Sequence, residues 1–357
     1  MVAPSRFGFE RLAVGLLITL LAVSVADAQR GFGFGKRNRR SSQGNSQMMH
    51  PEMPGESYRG PLPELTATQV KLRNALKSDL TRIAGVIGER NVQHPENYAA
   101  AALFLEKSLG EMGYDVERQE YRAGGQACVN LAATVAGGDR ADQIVVVGAH
   151  YDSLSGSPGA NDNGTGVVAT LALARMFAKQ KPQRTLRLVF FANEESPYFQ
   201  TEDMGSLVYA KACRAKNENI VAMLSIETIG YYSDAKNSQQ YPSSLSAAYP
   251  STGNFIGFVG NVESKNLVAQ CIDSFRKHAK FPSEGGALPG NIDGVGWSDH
   301  WAFWQANYPA IMVTDTAPFR YPHYHKASDT IDQVDYESMA RVVTGLEAVV
   351  ADLLNAN

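Results

Sequence analysis

The sequence has few cysteines, no excess of positive charge and, after its first 28 residues, no long apolar run. Its 33 Lys and Arg nearly balance 36 Asp and Glu among 357 residues. Because nucleic-acid-binding proteins usually present a basic surface, we expect no nucleic-acid partner. No later stretch is apolar enough to cross a bilayer, which excludes a multi-spanning membrane protein. A hydrophobic content of 44% instead indicates one large globular domain.

The three cysteines are too few for a disulfide framework, and their odd number leaves at least one of them without a partner in the chain. They are Cys128, Cys213 and Cys271. Two interpretations stay open at this point. In one, an exported chain joins Cys213 to Cys271 and leaves a third thiol buried. In the other, all three are small buried side chains.

The one long apolar run lies at the N-terminus and has the pattern of an export signal. Arg6 and Arg11 come first, residues 12–25 are apolar, and residues 26–28 (Ala-Asp-Ala) form a small-x-small cleavage site. The run is short for a membrane anchor and a processing site follows it. We therefore predict a signal peptide over residues 1–28, no stable membrane anchor after cleavage, and a periplasmic or secreted protein.

The segment after the predicted signal differs in composition from the rest of the chain. Residues 29–62 are rich in Gly, Ser and Arg and show no periodicity, which predicts a disordered linker. A basic arm that contacts an anionic surface is the less favoured alternative. Residues 63–357 show regular patterns throughout, with no internal repeat, and are predicted to form one domain.

Helices and strands alternate along this domain. Helical spacing predicts helices over residues 66–87, 97–112, 164–177, 205–216, 264–280 and 335–354. Short apolar runs predict strands over residues 116–121, 129–135, 144–147, 186–192, 221–226 and 310–313. This alternation predicts an α/β fold, a three-layer sandwich with a central, mostly parallel mixed sheet flanked by helices. Residues 234–253 form a long polar loop that either walls a substrate pocket or is a surface insertion.

Histidine and acidic side chains follow several of the predicted strands. They are His150, Asp152, Asp162, Glu194, Glu195, Glu227 and His325. The carboxyl ends of strands in an open α/β sheet form a site at one edge. Imidazole and carboxylate ligands, with no cysteine among them, suit a hydrolytic metal such as zinc.

Two of these pairs have a spacing with chemical consequences. His150 and Asp152 are two residues apart on a strand and face the same way, so one can bind a metal while the other accepts its ring N–H. Glu194 and Glu195 are adjacent acids directly after an apolar strand, where they repel each other unless a cation is near. One could bind the metal and the other take a proton. A hydrogen-bonded strand end and a solvated acidic loop are the corresponding structural alternatives.

Six segments, taken together, resemble peptidase family M28, the co-catalytic zinc exopeptidases that include the bacterial leucyl-type aminopeptidases. The segments are residues 148–152 (Gly-Ala-His-Tyr-Asp), 159–166 (Gly-Ala-Asn-Asp-Asn-Gly-Thr-Gly), 192–195 (Ala-Asn-Glu-Glu), 224–230 (Leu-Ser-Ile-Glu-Thr-Ile-Gly), 298–300 (Ser-Asp-His) and 325–330 (His-Lys-Ala-Ser-Asp-Thr). The resemblance runs from about Ile87 to the C-terminus.

The resemblance implies two zinc ions per chain and assigns each candidate residue a role. It implies that His150 and Glu227 bind the first zinc, Glu195 and His325 the second and Asp162 both, with Asp152 as partner of His150 and Glu194 as general base. The Asp162–Asn163 bond is expected to be cis. Many relatives have aspartate in place of Glu227, and we expect a flexible loop to absorb the extra methylene.

The implied activity is that of an aminopeptidase acting on a peptide or protein with a free N-terminus. One alternative is a single-zinc glutaminyl-peptide cyclotransferase, a class that shares the fold, and another is a binding module that has lost catalysis. His323 is a rival for the position of His325. Asp299 and His300 are expected either beside the ligands or as a structural hydrogen-bonded pair.

Overall fold

Eight strands form one mixed sheet in the part of the chain that the structure, a computed structural model, describes: residues 52–242 and 245–356. The predicted signal and most of the predicted linker lie outside these residues. The strands are β1 (Val116–Ala123), β2 (Gln126–Val135), β3 (Arg140–His150), β4 (Arg184–Phe191), β5 (Asn219–Glu227), β6 (Ile256–Gly260), β7 (Ser283–Ala287) and β8 (Ala310–Thr314). Their order across the sheet is β1-β2-β4-β3-β5-β8-β6-β7.

The centre of the sheet is parallel. Strand β3 pairs in parallel with β4 and β5, and β5 pairs in parallel with β8. Antiparallel pairs join β1 to β2, β2 to β4 and β6 to β8. The predicted mostly parallel mixed sheet is therefore confirmed.

Helices cover both faces of this sheet. They are α1 (Ala67–Leu80), α2 (Pro95–Glu111), α3 (Gly166–Phe177), α4 (Gly205–Ala215), α5 (Lys265–His278), α6 (His300–Gln305) and α7 (Tyr336–Asn355). Side chains alternate between the faces of a strand, so Val145 and Val147 join one hydrophobic core while Ile144 and Val146 join another. The first core includes residues of α1, α2, α3, α5 and α7, and the second includes residues of α4 and α6.

Three elements were missed by the sequence analysis. Strand β6 follows the long polar loop, and β7 has the sequence Ser-Glu-Gly-Gly-Ala, without the β-branched or aromatic residues that favour strands. Helix α6 is six residues long, shorter than two helical turns. Neither β7 nor α6 carries a periodic apolar pattern of its own, and the five-residue β6 (Ile-Gly-Phe-Val-Gly) contains two glycines, which weaken a strand signal.

Part of the segment assigned to the linker contacts the domain. Arg276 on α5 donates to the carbonyl oxygens of Pro54 and Gly55, each at 3.0 Å. The backbone N–H of Ser283 donates to the hydroxyl of Ser57 at 2.9 Å. These contacts join residues 53–57 to the domain ahead of the expected boundary at residue 63.

Two further expectations concern the cysteines and the membrane. Cys128, Cys213 and Cys271 are buried free thiols, so the interpretation without a disulfide is the correct one. Across residues 52–242 and 245–356, none of the helices has the length and apolar character that crossing a membrane requires.

Candidate metal centre

The carboxyl ends of the central parallel strands meet at one edge of the sheet and bring the candidate residues together. His150 is the last residue of β3 and Glu227 the last of β5. Glu194 and Glu195 follow β4 by three and four residues. Because neighbouring parallel strands end side by side, residues far apart in sequence become neighbours here.

The first group of possible ligands consists of His150, Asp162 and Glu227. Their ligand atoms all lie within 4.8 Å of one another. His150 Nε2 lies 3.2 Å from Glu227 Oε2 and 3.5 Å from Asp162 Oδ1. All three side chains are buried. We call this group the first set.

The second set consists of Asp162, Glu195 and His325, again with ligand atoms within 4.8 Å of one another. His325 Nε2 lies 3.1 Å from Asp162 Oδ2 and 3.4 Å from Glu195 Oε2. Asp162 therefore belongs to both sets, and its two oxygens face different histidines. His323 belongs to neither set and pairs with the Ser328 hydroxyl at 2.9 Å.

The loop that carries Asp162 is held by its backbone. The carboxylate of Asp329 accepts the backbone N–H groups of Asn161 at 2.8 Å and Asp162 at 3.1 Å. Tyr321 donates its hydroxyl to the same carboxylate at 2.7 Å. The Asp162–Asn163 peptide bond is cis, as the family resemblance predicts.

Arg90 supports the preceding part of this loop and was missed by the sequence analysis. Its side chain is fully buried and donates to the carbonyl oxygens of Tyr151 at 2.6 Å, Pro158 at 2.6 Å and Gly159 at 2.9 Å. Burial lowers the pKa of Arg90 to about 10, although nearby acids including Asp152 oppose this shift. The guanidinium therefore remains a cation beside the acidic site.

Asp152 supports three of the candidate residues. Its two oxygens accept the backbone N–H groups of Glu194 at 3.1 Å and Glu195 at 3.0 Å. Its Oδ1 also lies 3.4 Å from His150 Nδ1. The spacing of two residues predicted that Asp152 lies beside His150. The hydrogen bonds between Asp152 and the backbone of the two glutamates are visible only in the structure.

Glu227 is held by groups that sequence analysis did not single out. Ser298 donates its hydroxyl to Glu227 Oε2 at 2.6 Å, and Asn163 donates its amide to the same oxygen at 3.3 Å. The residue pairs with Thr314 of β8 at the end of its strand. The expectation that a flexible loop absorbs the longer side chain is therefore wrong, because Glu227 lies on a paired strand.

Asp299 and His300 do not pair with each other. His300 Nε2 bonds to the carbonyl oxygen of Val295 at 2.8 Å, and its ring packs edge-on against Trp304. Asp299 is fully buried, and neither oxygen has a hydrogen-bond partner among the described residues. Burial raises the pKa of Asp299 to about 7.

Burial and crowding of acids shift the pKa values at the site. Burial is the main reason that the pKa values of Glu194, Glu195 and Glu227 lie above the usual glutamate value. Burial alone would lower the pKa of His150, but the carboxylates of Glu227 and Glu194 outweigh it and raise that pKa. Burial would raise the pKa of Asp162, yet it is lowered because His150 and His325 stabilise its charge.

Two neighbouring cavities adjoin these residues. One, a cleft, is lined by Asp162, Glu194, Glu195, Ser196, Phe199, Glu227, Trp297, Tyr324 and His325. The other cavity shares Glu227, Trp297 and Tyr324 with the cleft, and its other walls are mainly apolar. The 234–253 loop contributes Tyr241, Leu245 and Tyr249 to those walls. The loop therefore lines a cavity beside the candidate residues, and a role of this cavity in substrate binding stays a prediction.

Solved structures share this fold. LapB from Legionella pneumophila has a TM-score of 0.64 at 19% identity, covering 85% of this chain and 79% of that one. The zinc aminopeptidase BSAP from Bacillus subtilis has a TM-score of 0.61 at 15% identity, covering 80% and 95%. The Fimbriiglobus ruber glutaminyl cyclase has a TM-score of 0.59 at 18% identity, covering 82% and 97%. At such identities the likeness shows the fold alone.

Similarity in sequence to known proteins gives a more specific assignment than the shared fold. The Escherichia coli (strain K12) protein YfbL, named an uncharacterized protein, is 34% identical over 280 residues, which are 76% of this chain and 85% of that protein. A protein of Leptosphaeria maculans named a probable zinc metalloprotease is 26% identical over 242 residues, covering 60% of this chain and 54% of that protein. Peptidase family M28 matches residues 130–350, which include every candidate residue. The chain therefore belongs to peptidase family M28.

Proposed function

We propose that this chain is an exported metallopeptidase that binds two zinc ions and removes residues from peptides or proteins with a free N-terminus. The observation that carries the proposal is the position of Asp162, which is shared by two sets of ligands. One oxygen faces His150 and the other faces His325. This is the arrangement expected of a carboxylate that bridges two ions.

The donors in the two sets fit zinc. They are imidazole nitrogens and carboxylate oxygens, which zinc binds in catalytic sites. His150 Nε2, which faces Asp162 and Glu227, and Oε1 of Glu195 are buried without a hydrogen-bond partner among the described residues. Unpaired buried polar atoms are costly, and a bound ion would satisfy them. His150 and Glu227 would hold one ion, Glu195 and His325 the other, and Asp162 both.

The charge of the site favours two ions over one. Five carboxylates are buried there, those of Asp152, Asp162, Glu194, Glu195 and Glu227. Buried like charges destabilise a site unless cations offset them. Two dications together with the Arg90 guanidinium balance these five charges, whereas one dication with Arg90 leaves two of them uncompensated.

Glu194 has the position of a general base. It belongs to neither set, lines the cleft and has Oε2 3.7 Å from His150 Nε2. When bound, zinc polarises the substrate carbonyl and makes water a stronger acid. Glu194 would take a proton from the attacking water and return it to the leaving amine.

The apolar cavity supplies a place for the side chain of the N-terminal residue. It opens beside Glu227, Trp297 and Tyr324, next to the cleft. A substrate whose first side chain enters the cavity keeps its amino group near the acids of the cleft. A blocked N-terminus would lose the attraction between that amine and those acids.

A second candidate function is glutaminyl cyclisation, favoured by the likeness in fold to the Fimbriiglobus ruber glutaminyl cyclase. Cyclisation would use one zinc ion and release ammonia from an N-terminal glutamine. One of the two sets of ligands then has no evident role, which is why we prefer the peptidase.

One experiment separates these functions. The mature protein is analysed for zinc by mass spectrometry and assayed on aminoacyl substrates, their N-blocked forms and a peptide with N-terminal glutamine. We expect about two ions per chain, hydrolysis of the free substrates only and no loss of ammonia. One ion with cyclised product supports the alternative, and intact substrates throughout contradict both.

The variant Glu194→Gln tests the assigned base. We expect full zinc content and a fall in kcat of about 10²–10⁴-fold, the usual contribution of general acid–base catalysis. Wild-type activity in this variant removes Glu194 from the mechanism. Sequencing the N-terminus of the mature protein tests export, with Gln29 expected as its first residue.

A further inference from the structure

We propose that Tyr98, on α2, is a positioning residue that fixes the general base Glu194 through the side chain of Asn193. The inference rests on the proposed function, since it concerns the base of that reaction. Tyr98 lines neither the cleft nor the apolar cavity. It therefore acts on the reaction through other residues.

Asn193 connects the catalytic loop to three separate elements. It directly precedes Glu194, is buried, and has a left-handed backbone with φ of 57°. Its Oδ1 accepts the hydroxyl of Tyr98 at 2.9 Å. Its Nδ2 donates to the hydroxyl of Tyr121 at 3.2 Å and to Cys128 Sγ at 3.1 Å. The amide is thus fastened to α2, β1 and β2 at once.

Tyr98 also contacts the strand end that carries His150. Its ring stacks on Tyr151, with centroids 5.1 Å apart and planes inclined by 28°. Tyr151 lies between His150 and Asp152, and its hydroxyl donates to the Val129 carbonyl at 2.9 Å. One side chain on α2 therefore touches the neighbours of both the first-set histidine and the general base.

The direction of the hydrogen bond to Asn193 is defined by its surroundings. Tyr98 is 5% exposed, and burial raises its pKa well above the usual tyrosine value, so the hydroxyl stays a donor. Asn193 Oδ1 is a carbonyl oxygen and can only accept. Without the hydroxyl, that oxygen would be a buried acceptor lacking its donor, and the amide would be free to turn.

This connection adds a second restraint on Glu194, besides the one from Asp152. The carboxylate of Asp152 accepts the Glu194 backbone N–H at 3.1 Å. The residue directly before Glu194 is Asn193, which its side-chain hydrogen bonds hold in place. A displacement of about 1 Å in a catalytic group can lower a rate by about 10²-fold. We therefore expect an effect on kcat, with little effect on KM because the substrate cavities are unchanged.

The test compares Tyr98→Phe, Asn193→Gly and the double variant. Phenylalanine keeps the ring that stacks on Tyr151 and removes only the hydroxyl. Glycine keeps the left-handed backbone and removes the amide. We expect each single variant to lower kcat by about 10–100-fold with KM within about threefold of wild type and unchanged zinc content. The double variant should be no slower than Asn193→Gly, because Tyr98 acts through Asn193.

Tyr114→Phe is the matched control. Tyr114 donates its hydroxyl to the carbonyl oxygen of Ala174 at 2.8 Å, far from Glu194 in the contacts it makes. This variant should leave both kcat and KM unchanged. If Tyr98→Phe does not fold, Tyr121→Phe removes another hydroxyl bonded to Asn193 and should show the same separation of kcat from KM.

The inference is overturned if Tyr98→Phe keeps the wild-type kcat, or if the double variant multiplies the two single effects. An active wild type with an unaffected Tyr98→Phe variant refutes the role of Tyr98 and leaves the proposed function intact. A wild type that hydrolyses none of the aminoacyl substrates refutes both.

Discussion

Replacing Glu227 with aspartate should release one zinc ion and leave the other bound. Glu227 Oε2 lies 3.2 Å from His150 Nε2 and accepts the hydroxyl of Ser298 at 2.6 Å. Aspartate withdraws the carboxylate by one carbon–carbon bond, about 1.5 Å. The backbone cannot follow, because Glu227 is paired with Thr314 at the end of β5. The first set then loses its geometry while Glu195 and His325 are untouched.

The size of the effect follows from the contacts that are lost. A hydrogen bond to a charged group contributes about 1.5–3 kcal/mol, and the hydroxyl of Ser298 no longer reaches its acceptor. Each 1.4 kcal/mol is a factor of about ten in an equilibrium constant. We therefore expect the affinity for one ion to fall by about 10–100-fold in Glu227→Asp, which matches the usual effect of disturbing groups that orient a metal ligand.

Competition with a chelator measures this effect. Wild type should release two ions, and Glu227→Asp should release one of them at a chelator concentration lower by about the same 10–100-fold. His325→Ala is the matched variant in the second set and should weaken the other ion. Equal weakening of both ions by Glu227→Asp, or none, would refute the assignment of Glu227 to one set.

Three further predictions concern stability and specificity. Removal of both zinc ions should lower the unfolding midpoint by roughly 15 °C. Each ion, present at about 1,000 times its Kd, adds about 4 kcal/mol, and about 2 °C accompanies each kcal/mol in a large domain. An unchanged midpoint in a calorimetric scan would contradict metal binding by the folded state. Substrates with N-terminal leucine should have a kcat/KM about 30–50-fold higher than those with alanine, because about three more carbons buried in the apolar cavity contribute roughly 2 kcal/mol. Equal kcat/KM values would exclude the cavity from substrate binding. Burial lowers the pKa of His300 to about 4, below the value of about 6.5 expected on unfolding. The contribution of this neutral ring to stability is complete above pH 6.5 and is lost as the pH falls toward 4. Between pH 7 and pH 5 the free energy of unfolding of the wild type, measured in urea, should therefore fall by about 2 kcal/mol more than that of His300→Gln. An equal fall in the two proteins would show that His300 is not buried as a neutral ring.

The sequence predicted which candidate residues lie close together better than it predicted their surroundings. His150, Glu194 and Glu227 each lie at the end of an apolar run, and parallel strands end side by side. A residue's place along its own strand is therefore enough to predict that these side chains converge. The same logic extends to His325, which follows the last parallel strand.

Residues that support the site from other helices and strands could not be predicted from the sequence pattern around them. Helix α2 was predicted from its spacing, but nothing local indicates that Tyr98 faces Asn193, 95 residues away. Arg90 lies between helices in sequence, and its partners are carbonyl oxygens that any residue could supply. Strand β6 pairs with the edge of β8, and β7 pairs in turn with β6, so both depend on the tertiary structure.

The groups that support the site mostly bind backbone atoms and leave ligand atoms free. Asp152 and Asp329 accept backbone N–H groups beside the ligands, and Arg90 donates to carbonyl oxygens of the Asp162 loop. Glu227 is the exception, because its Oε2 also accepts from Ser298. A site that satisfied its ligands with internal hydrogen bonds would have to break them whenever a metal ion bound. Fixing the backbone instead orients the donors in advance, so that the binding energy of the ions is not spent on ordering the loops.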